Sequence, residues 1–238
     1  MIQLENVTKR YGTRTAVSRL SLQVPDGAAF GFLGQNGAGK TTTMKMVVGL
    51  AAPDEGAITI GGRAVSGRAV RTDLGYLPEA PYLYERLTGG EFLRFCAELF
   101  GKSLGDAECA TLLGQVGLAA ASAKAIGTYS KGMKQRLGFA QALVNDPSYL
   151  LLDEPLEGLD PIGRKEIKNV IRSLRSQGKT VFFNSHILYD IEELCDEIGV
   201  LHDGVLIYSG TVKGFCNGKP LEARFVEAVE ALAKNNEE

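Results

Sequence analysis

The chain has 238 residues, 45% of them hydrophobic, which suffices for one large domain or a domain with an inserted subdomain. Its 26 basic and 28 acidic side chains leave a net charge of -2, so bulk attraction to nucleic acid or anionic lipid is absent and a DNA-binding reading is weakened. Cys96, Cys109, Cys195 and Cys216 show no C-x-x-C spacing, so zinc and redox motifs are unsupported and packed, reduced thiols are expected.

The first residues, Met1 to Val7, alternate as a strand does and lack the basic-then-apolar organisation of a secretion signal. No stretch approaches the ~18 consecutive apolar residues that a membrane-spanning helix needs, and together these features predict a cytosolic chain. Strand-like runs at Gln3 to Lys9, Ala16 to Val24, Ala28 to Leu33 and Ala57 to Ile60 are punctuated by Pro25-Asp26-Gly27 and Gly61-Gly62, which predicts antiparallel β structure in the N-terminal part. The third run feeds directly into Gly34, Gln35, Asn36, Gly37, Ala38, Gly39, Lys40 and Thr41, which fit G-x-x-x-x-G-K-[ST]. Thr41 to Leu50 follows as a helix, with Met44, Val47 and Val48 at helical spacing and Gly49 as terminator.

Strand, glycine loop and helix in that order predict a cradle for a nucleoside triphosphate with Mg²⁺. Glycines let successive N–H groups point inward, and the helix start directs its dipole at phosphate. Lys40 would meet the β- and γ-phosphates, and the Thr41 hydroxyl would ligate the metal.

From Tyr82 to Gly127 the character changes to helical segments, with Phe92, Phe95, Cys96 and Leu99 as one expected stripe. Ser130 can cap a helix whose apolar positions are Met133, Leu137, Ala140 and Val144, and Gly132 leaves its first turn open to an approaching phosphate. Tyr149 to Leu152 is an apolar strand that stops at Asp153 and Glu154, adjacent acids whose burial needs a reason. Mg²⁺ and a nucleophilic water supply one: Asp153 would hold the metal through its water shell, and Glu154 would orient or deprotonate the water. An amphipathic helix with Ile167, Val170, Ile171 and Leu174 then leads to the strand Thr180 to Phe183, so those two strands are expected to pair in parallel. Asp203-Gly204 between two apolar runs predicts a hairpin. Leu221, Phe225, Val229 and Leu232 share the face of a last helix, after which the tail is expected to fray.

Tyr149 to Glu154, followed by Pro155-Leu156-Glu157-Gly158-Leu159-Asp160-Pro161 and preceded by Tyr129-Ser130-Lys131-Gly132-Met133-Lys134-Gln135-Arg136, resembles the ATP-binding cassette of ABC transporters over nearly the whole chain. The fold so implied is α/β: a P-loop NTPase core with a mainly parallel sheet, an N-terminal antiparallel β subdomain and an inserted helical subdomain. Residues 1–81 and 146–212 would form the core with its β subdomain, 82–145 the helical insertion, and 213–238 a C-terminal helix and tail.

The resemblance also implies roles. The nucleotide would lie on Gly34 to Thr42, with Tyr11 stacked on adenine, and His186 would contact the γ-phosphate and orient Glu154. Ser130, Lys131, Gly132 and Met133 would act on ATP held by the loop of a second copy, in a homodimer that forms with ATP, and Asp160 would lie in the loop that crosses to that copy. Three positions depart from the family pattern: Glu79 stands where a glutamine usually senses Mg²⁺, Lys131 replaces the first signature glycine, and Glu157 replaces a small hydroxyl residue. Partners would be separate membrane-spanning permease subunits, docked near Glu79 to Leu87, with the chain peripheral on the cytoplasmic face of the membrane and serving export. The alternative is a soluble relative acting on nucleic acid or the ribosome, but the long coiled-coil insertion, second cassette or zinc cysteines typical of such relatives do not occur. A nucleotide-dependent binder that does not hydrolyse would have lost Glu154 or His186, and both are present.

Overall fold

A computed structural model describes residues 1–235, with side-chain surroundings for all of these except 68–69 and 233–235. Two long strands, β1 (Ile2–Tyr11) and β2 (Arg14–Val24), alternate buried apolar and exposed polar side chains, the pattern of a sheet with one face in water. The next strand, β3 (Ala29–Leu33), is buried at every position, as a central parallel strand must be. The phosphate-loop sequence connects it to α1 (Lys40–Val47). After α1 come β4 (Glu55–Ile60), the short β5 (Arg63–Ala64), α2 (Arg68–Arg71) and β6 (Leu74–Leu77).

Helices α3 (Gly89–Leu99), α4 (Asp106–Gln115) and α5 (Lys131–Leu143) form the helical insertion and contact one another. The core then resumes with β7 (Tyr149–Asp153), α6 (Pro161–Ser176), β8 (Thr180–Asn184), α7 (Leu188–Leu194), β9 (Glu197–His202) and β10 (Val205–Thr211), and the chain closes with α8 (Val212–Cys216) and α9 (Leu221–Asn235).

These strands form two sheets, an antiparallel one in the order β2-β1-β4-β5 and a larger one in the order β10-β9-β3-β8-β7-β6. In the larger sheet β6, β7, β8, β3 and β9 run parallel, and β10 is added antiparallel through the Asp203-Gly204 hairpin. Both hairpin residues have positive φ, 45° and 79°, as a two-residue turn of this twist requires. This is the α/β P-loop arrangement expected from the sequence.

Side-chain alternation along the parallel strands fills two separate cores. Leu150, Leu152, Val181 and Phe183 face the core shared with the helical insertion, whereas Tyr149, Leu151, Phe182, Phe30 and Phe32 face the core shared with the antiparallel sheet and α1.

The stripe expected on α3 is rotated. Phe92 and Cys96 are buried, but their buried companions are Leu93 and Ala97, while Phe95 is 37% and Leu99 71% exposed. Packing against both α4 and α5 widens the buried face on the Leu93 side. In α9, Leu221 is buried and the helix runs on through Lys234 and Asn235; the expected frayed end at residues 236–238 lies outside the described residues. All four cysteines are free and buried. Among the described residues no helix is long and apolar enough to cross a membrane.

Candidate active site

The loop between β3 and α1 is built by close backbone approach. A Cβ on Gly39, which has φ +106°, would stand 2.4 Å from the Ala16 carbonyl oxygen, and one on Gly34 would stand 2.5 Å from that of Leu201. No other residue fits either place without displacing main chain. The β9–β10 turn buttresses the loop from outside, since Gly204 N–H donates to the Ala38 carbonyl at 3.0 Å. Inside, Lys40 Nζ donates to the carbonyls of Gly34 and Gln35 at 2.7 and 3.1 Å, folding the lysine over the loop. Burial pulls the Lys40 ammonium below its ordinary range, against the charges of Glu154, Asp153 and Glu79.

An open cavity of about 510 Å³ covers this loop. Asn36, Gly37, Gly39, Lys40, Thr41 and Thr42 line it together with Asp153, Glu154, Glu79 and half-exposed Tyr11, and His186 is not part of the lining. Gly34, Gln35 and Ala38 form the loop's inner turn beneath it. The acids arrive because β7 lies one strand beyond β8 from β3 and the three run parallel, so their carboxyl ends share an edge.

Asp153 is buried at the tip of β7, with Oδ1 at 3.5 Å from the Thr41 hydroxyl and Oδ2 making no hydrogen bond. Burial pushes its carboxyl up, against the pull of Asn184, Thr41 and Lys40. A buried carboxylate oxygen without a donor, beside a hydroxyl and with Glu79 in the same cavity, fits a hard divalent cation that takes few protein oxygens and keeps its waters.

Glu154 takes φ +53°, the left-handed conformation, which swings its side chain out of the strand and across the cavity. Three contacts hold this turn: Glu154 N–H donates to Asn184 Oδ1 at 2.9 Å and to the Asn184 carbonyl at 3.3 Å, and the Glu154 carbonyl accepts from Gln135 Nε2 at 3.0 Å. His186 Nδ1 lies 2.9 Å from Glu154 Oε2, and the His186 N–H donates to the same oxygen at 3.3 Å. Burial raises the Glu154 carboxyl, with His186 and then Lys40 opposing. A carboxylate so placed, with one oxygen tied to an imidazole, is equipped to orient and deprotonate a water facing the loop.

A second cavity, of about 560 Å³, lies elsewhere on the chain and shares no lining residue with the first. Ser130, Lys131, Gly132 and Met133 line it, together with Asp160 and Arg136. Ser130 caps α5 as expected, accepting from Met133 N–H at 3.2 Å, and Asp160 caps α6, accepting from Gly163 N–H at 3.0 Å. The two departures Lys131 and Glu157 find each other: Lys131 Nζ meets Glu157 Oε1 at 2.6 Å, and the lysine stem runs over Gly158. Each chain therefore carries a phosphate loop with its acids in one place and the Ser130 helix start in another.

Sequence reasoning misses Arg14, Ala16 and Asn184 of the first cavity and Gln135, which bonds the Glu154 carbonyl; the Arg14 guanidinium donates to the Gly37 carbonyl at 3.3 Å. Asn184 carries a readable signal, as the polar residue that closes an apolar strand beside the acidic one.

A family model described as ABC transporter matches residues 17–157. An ABC transporter ATP-binding protein of Nostoc sp. is 48% identical over 196 residues, covering 81% of this chain and 58% of the relative, so the chain spans under two thirds of that protein's length. A bacitracin transport ATP-binding protein of Enterococcus faecalis is 42% identical over 210 residues, covering 87% and 68%. Among solved structures, an ATP-binding subunit of an ABC transporter superposes with TM-score 0.87 at 30% identity, covering 96% of this chain and 99% of the other. A dimeric bacterial ABC transporter cassette gives TM-score 0.82 at 25% identity, covering 90% and 100%.

Proposed function

The chain belongs to the ABC transporter family, and on that premise we propose that it is the ATP-binding and ATP-hydrolysing subunit of an exporter whose membrane-spanning subunits are separate chains. One observation carries the reading: Glu154 reaches from the tip of β7 into the cavity over the Lys40 loop and is tied there to His186. Glu154 accepts a proton from the attacking water while His186 fixes the carboxylate and faces the terminal phosphate. Lys40, released from the Gly34 and Gln35 carbonyls, balances charge on the β- and γ-phosphates, and Tyr11 in the cavity lining stacks on adenine. Thr41, Asp153 and Glu79 would hold Mg²⁺, which when bound neutralises phosphate charge.

Two copies complete two sites in this reading, the Ser130 to Met133 helix start and Asp160 of one meeting the phosphate loop of its partner. The separation of the two cavities within one chain supports it, as does the dimeric cassette among the similar structures. The bacitracin-transport relative supports export. Tyr82, 94% exposed, and Tyr84, stacked edge-on against Phe95, project between Pro81 and Leu87 and suit the permease contact, which would hold the chain at the cytoplasmic face of the membrane.

Glu154→Gln keeps the shape and removes the base. Turnover is expected to fall by roughly 10²–10⁴-fold with ATP affinity retained, measured by phosphate release and by equilibrium binding of a fluorescent ATP analogue. Hydrolysis near the original rate would take the role of base away from Glu154.

A further inference from the structure

Asp190 is fully buried and takes no part in either cavity. It lies on α7 four residues after His186, and two cations of α6 engage it: Arg164 Nη2 donates to Oδ2 at 2.5 Å, and Lys168 Nζ stands 2.8 Å from Oδ1 as an ion pair whose geometry leaves that oxygen without a hydrogen bond. Arg164, Lys168 and Arg172 stand one turn apart on one face of α6, and Lys168 and Arg172 both pair onward with Glu193 of α7. The Tyr189 ring lies over Lys168, with its centroid 5.1 Å from Nζ. A ladder of three cations on α6 thus engages two acids on α7.

Adhesion alone does not explain a buried carboxylate here. Ile191 and Leu194 already bury α7 against the sheet, so closely that a Cβ on Gly31 of β3 would stand 2.7 Å from Ile191 Cγ2. Apolar side chains of similar volume often hold as well as a buried ion pair, whereas ionic partners fix register and angle. Register is what the residue upstream lacks. The His186 side chain is 54% exposed and meets Glu154 Oε2, and the start of α7 has no side-chain cap, the turn before it being held by the Ile187 N–H on Ser185 Oγ at 3.1 Å.

We infer that Asp190 is a positioning residue: clamped by Arg164 and Lys168, it fixes the first turn of α7 against α6 and so sets the place of the His186 imidazole beside Glu154. The inference rests on the reading in which Glu154 activates water and His186 orients it. Because Arg164 lies four residues after the α6 cap Asp160, the clamp also links the loop at the second cavity to the histidine that holds Glu154.

The test compares Asp190→Asn, which keeps volume and removes charge, with a triple variant, Arg164→Met, Lys168→Met and Asp190→Leu, which replaces the ions by apolar contacts. Measured on the full chain are kcat, KM for ATP, affinity for a fluorescent ATP analogue and melting temperature. For Asp190→Asn a loss of about 10- to 10²-fold in kcat is expected, the scale of a misplaced group, with KM and affinity within about twofold. The triple variant is expected to melt at or above the wild-type temperature while its kcat stays low. Wild-type kcat in folded Asp190→Asn, a loss of affinity in proportion to kcat, or recovery of kcat in the triple variant would each overturn the inference. An inactive Glu154→Gln alongside a fully active Asp190→Asn removes Asp190 alone, whereas an active Glu154→Gln removes the reading beneath it.

Discussion

Glu154, the base in the proposed reading, has a backbone that an L residue adopts at a penalty of roughly 1–2 kcal/mol. An acidic pair closing an apolar strand is legible in the sequence. The left-handed turn that aims the second acid is not, because a glutamate gives no sign of positive φ as glycine, asparagine or aspartate does, and the groups that stabilise the turn, Asn184 and Gln135, come from a neighbouring strand and from α5. Cysteine shows the opposite balance: spacing alone predicted inert packed thiols, and all four are buried. Burial pushes the Cys96 thiol from an ordinary 9.0 up to about 11. Near pH 8 its thiolate should be about hundredfold scarcer than that of an unburied thiol, and it should alkylate correspondingly slowly, the rate rising about tenfold per pH unit until about 11. Mass spectrometry after iodoacetamide labelling checks this. Labelling of the native chain as fast as that of the denatured chain would contradict it.

At the scale of elements, order and type were readable wherever an apolar run met a clear terminator, as at β3, β7, β8 and the β9–β10 hairpin. The α3 boundary shows what hides a terminator. Thr88 accepts from Glu91 N–H at 3.3 Å while Glu91 returns a bond to Thr88 N–H at 2.8 Å, a full capping box. The two intervening residues are Gly89 and Gly90, which read as a turn rather than a helix start. Both are buried against neighbouring side chains: a Cβ on Gly89 would meet the Tyr129 hydroxyl at 2.9 Å, so packing overrides propensity. Thr88→Ala should lower stability by about 1 kcal/mol, read as a shift in urea midpoint with unchanged slope. No shift would mean that tertiary contacts alone hold the helix start. Lys131 and Glu157, 26 positions apart, read as two unrelated departures until α5 and the loop after β7 are brought together. As a pair open to solvent on the lysine side they add little stability; Lys131 lines the second cavity, and Glu157 sets a carboxylate against its charge.

For the whole molecule the division into two cavities sets the expected kinetics. If each site takes its second half from another copy, ATP turnover per chain must rise with protein concentration and level off once dimers dominate, whereas the dilute single chain still binds ATP on its own loop, less tightly than the dimer does. Phosphate release across a hundredfold dilution series tests this, and a constant specific rate would make each chain self-sufficient. Less legible was the division of the core. A strand apolar at every position, such as Tyr149 to Leu152, gives no sign of which side chains point where, so two cores read as one. In the folded chain the parallel sheet is a party wall between two rooms, and Asp153, Glu154 and Asn184 are mounted at its rim, while Lys40 opens α1 in the room of the antiparallel sheet. The helical room reaches that rim through the Gln135 amide of α5 on the Glu154 carbonyl, so a shift of α5 bears on Glu154 directly, while Asp153 and Asn184, paired across β7 and β8, keep the spacing of the wall.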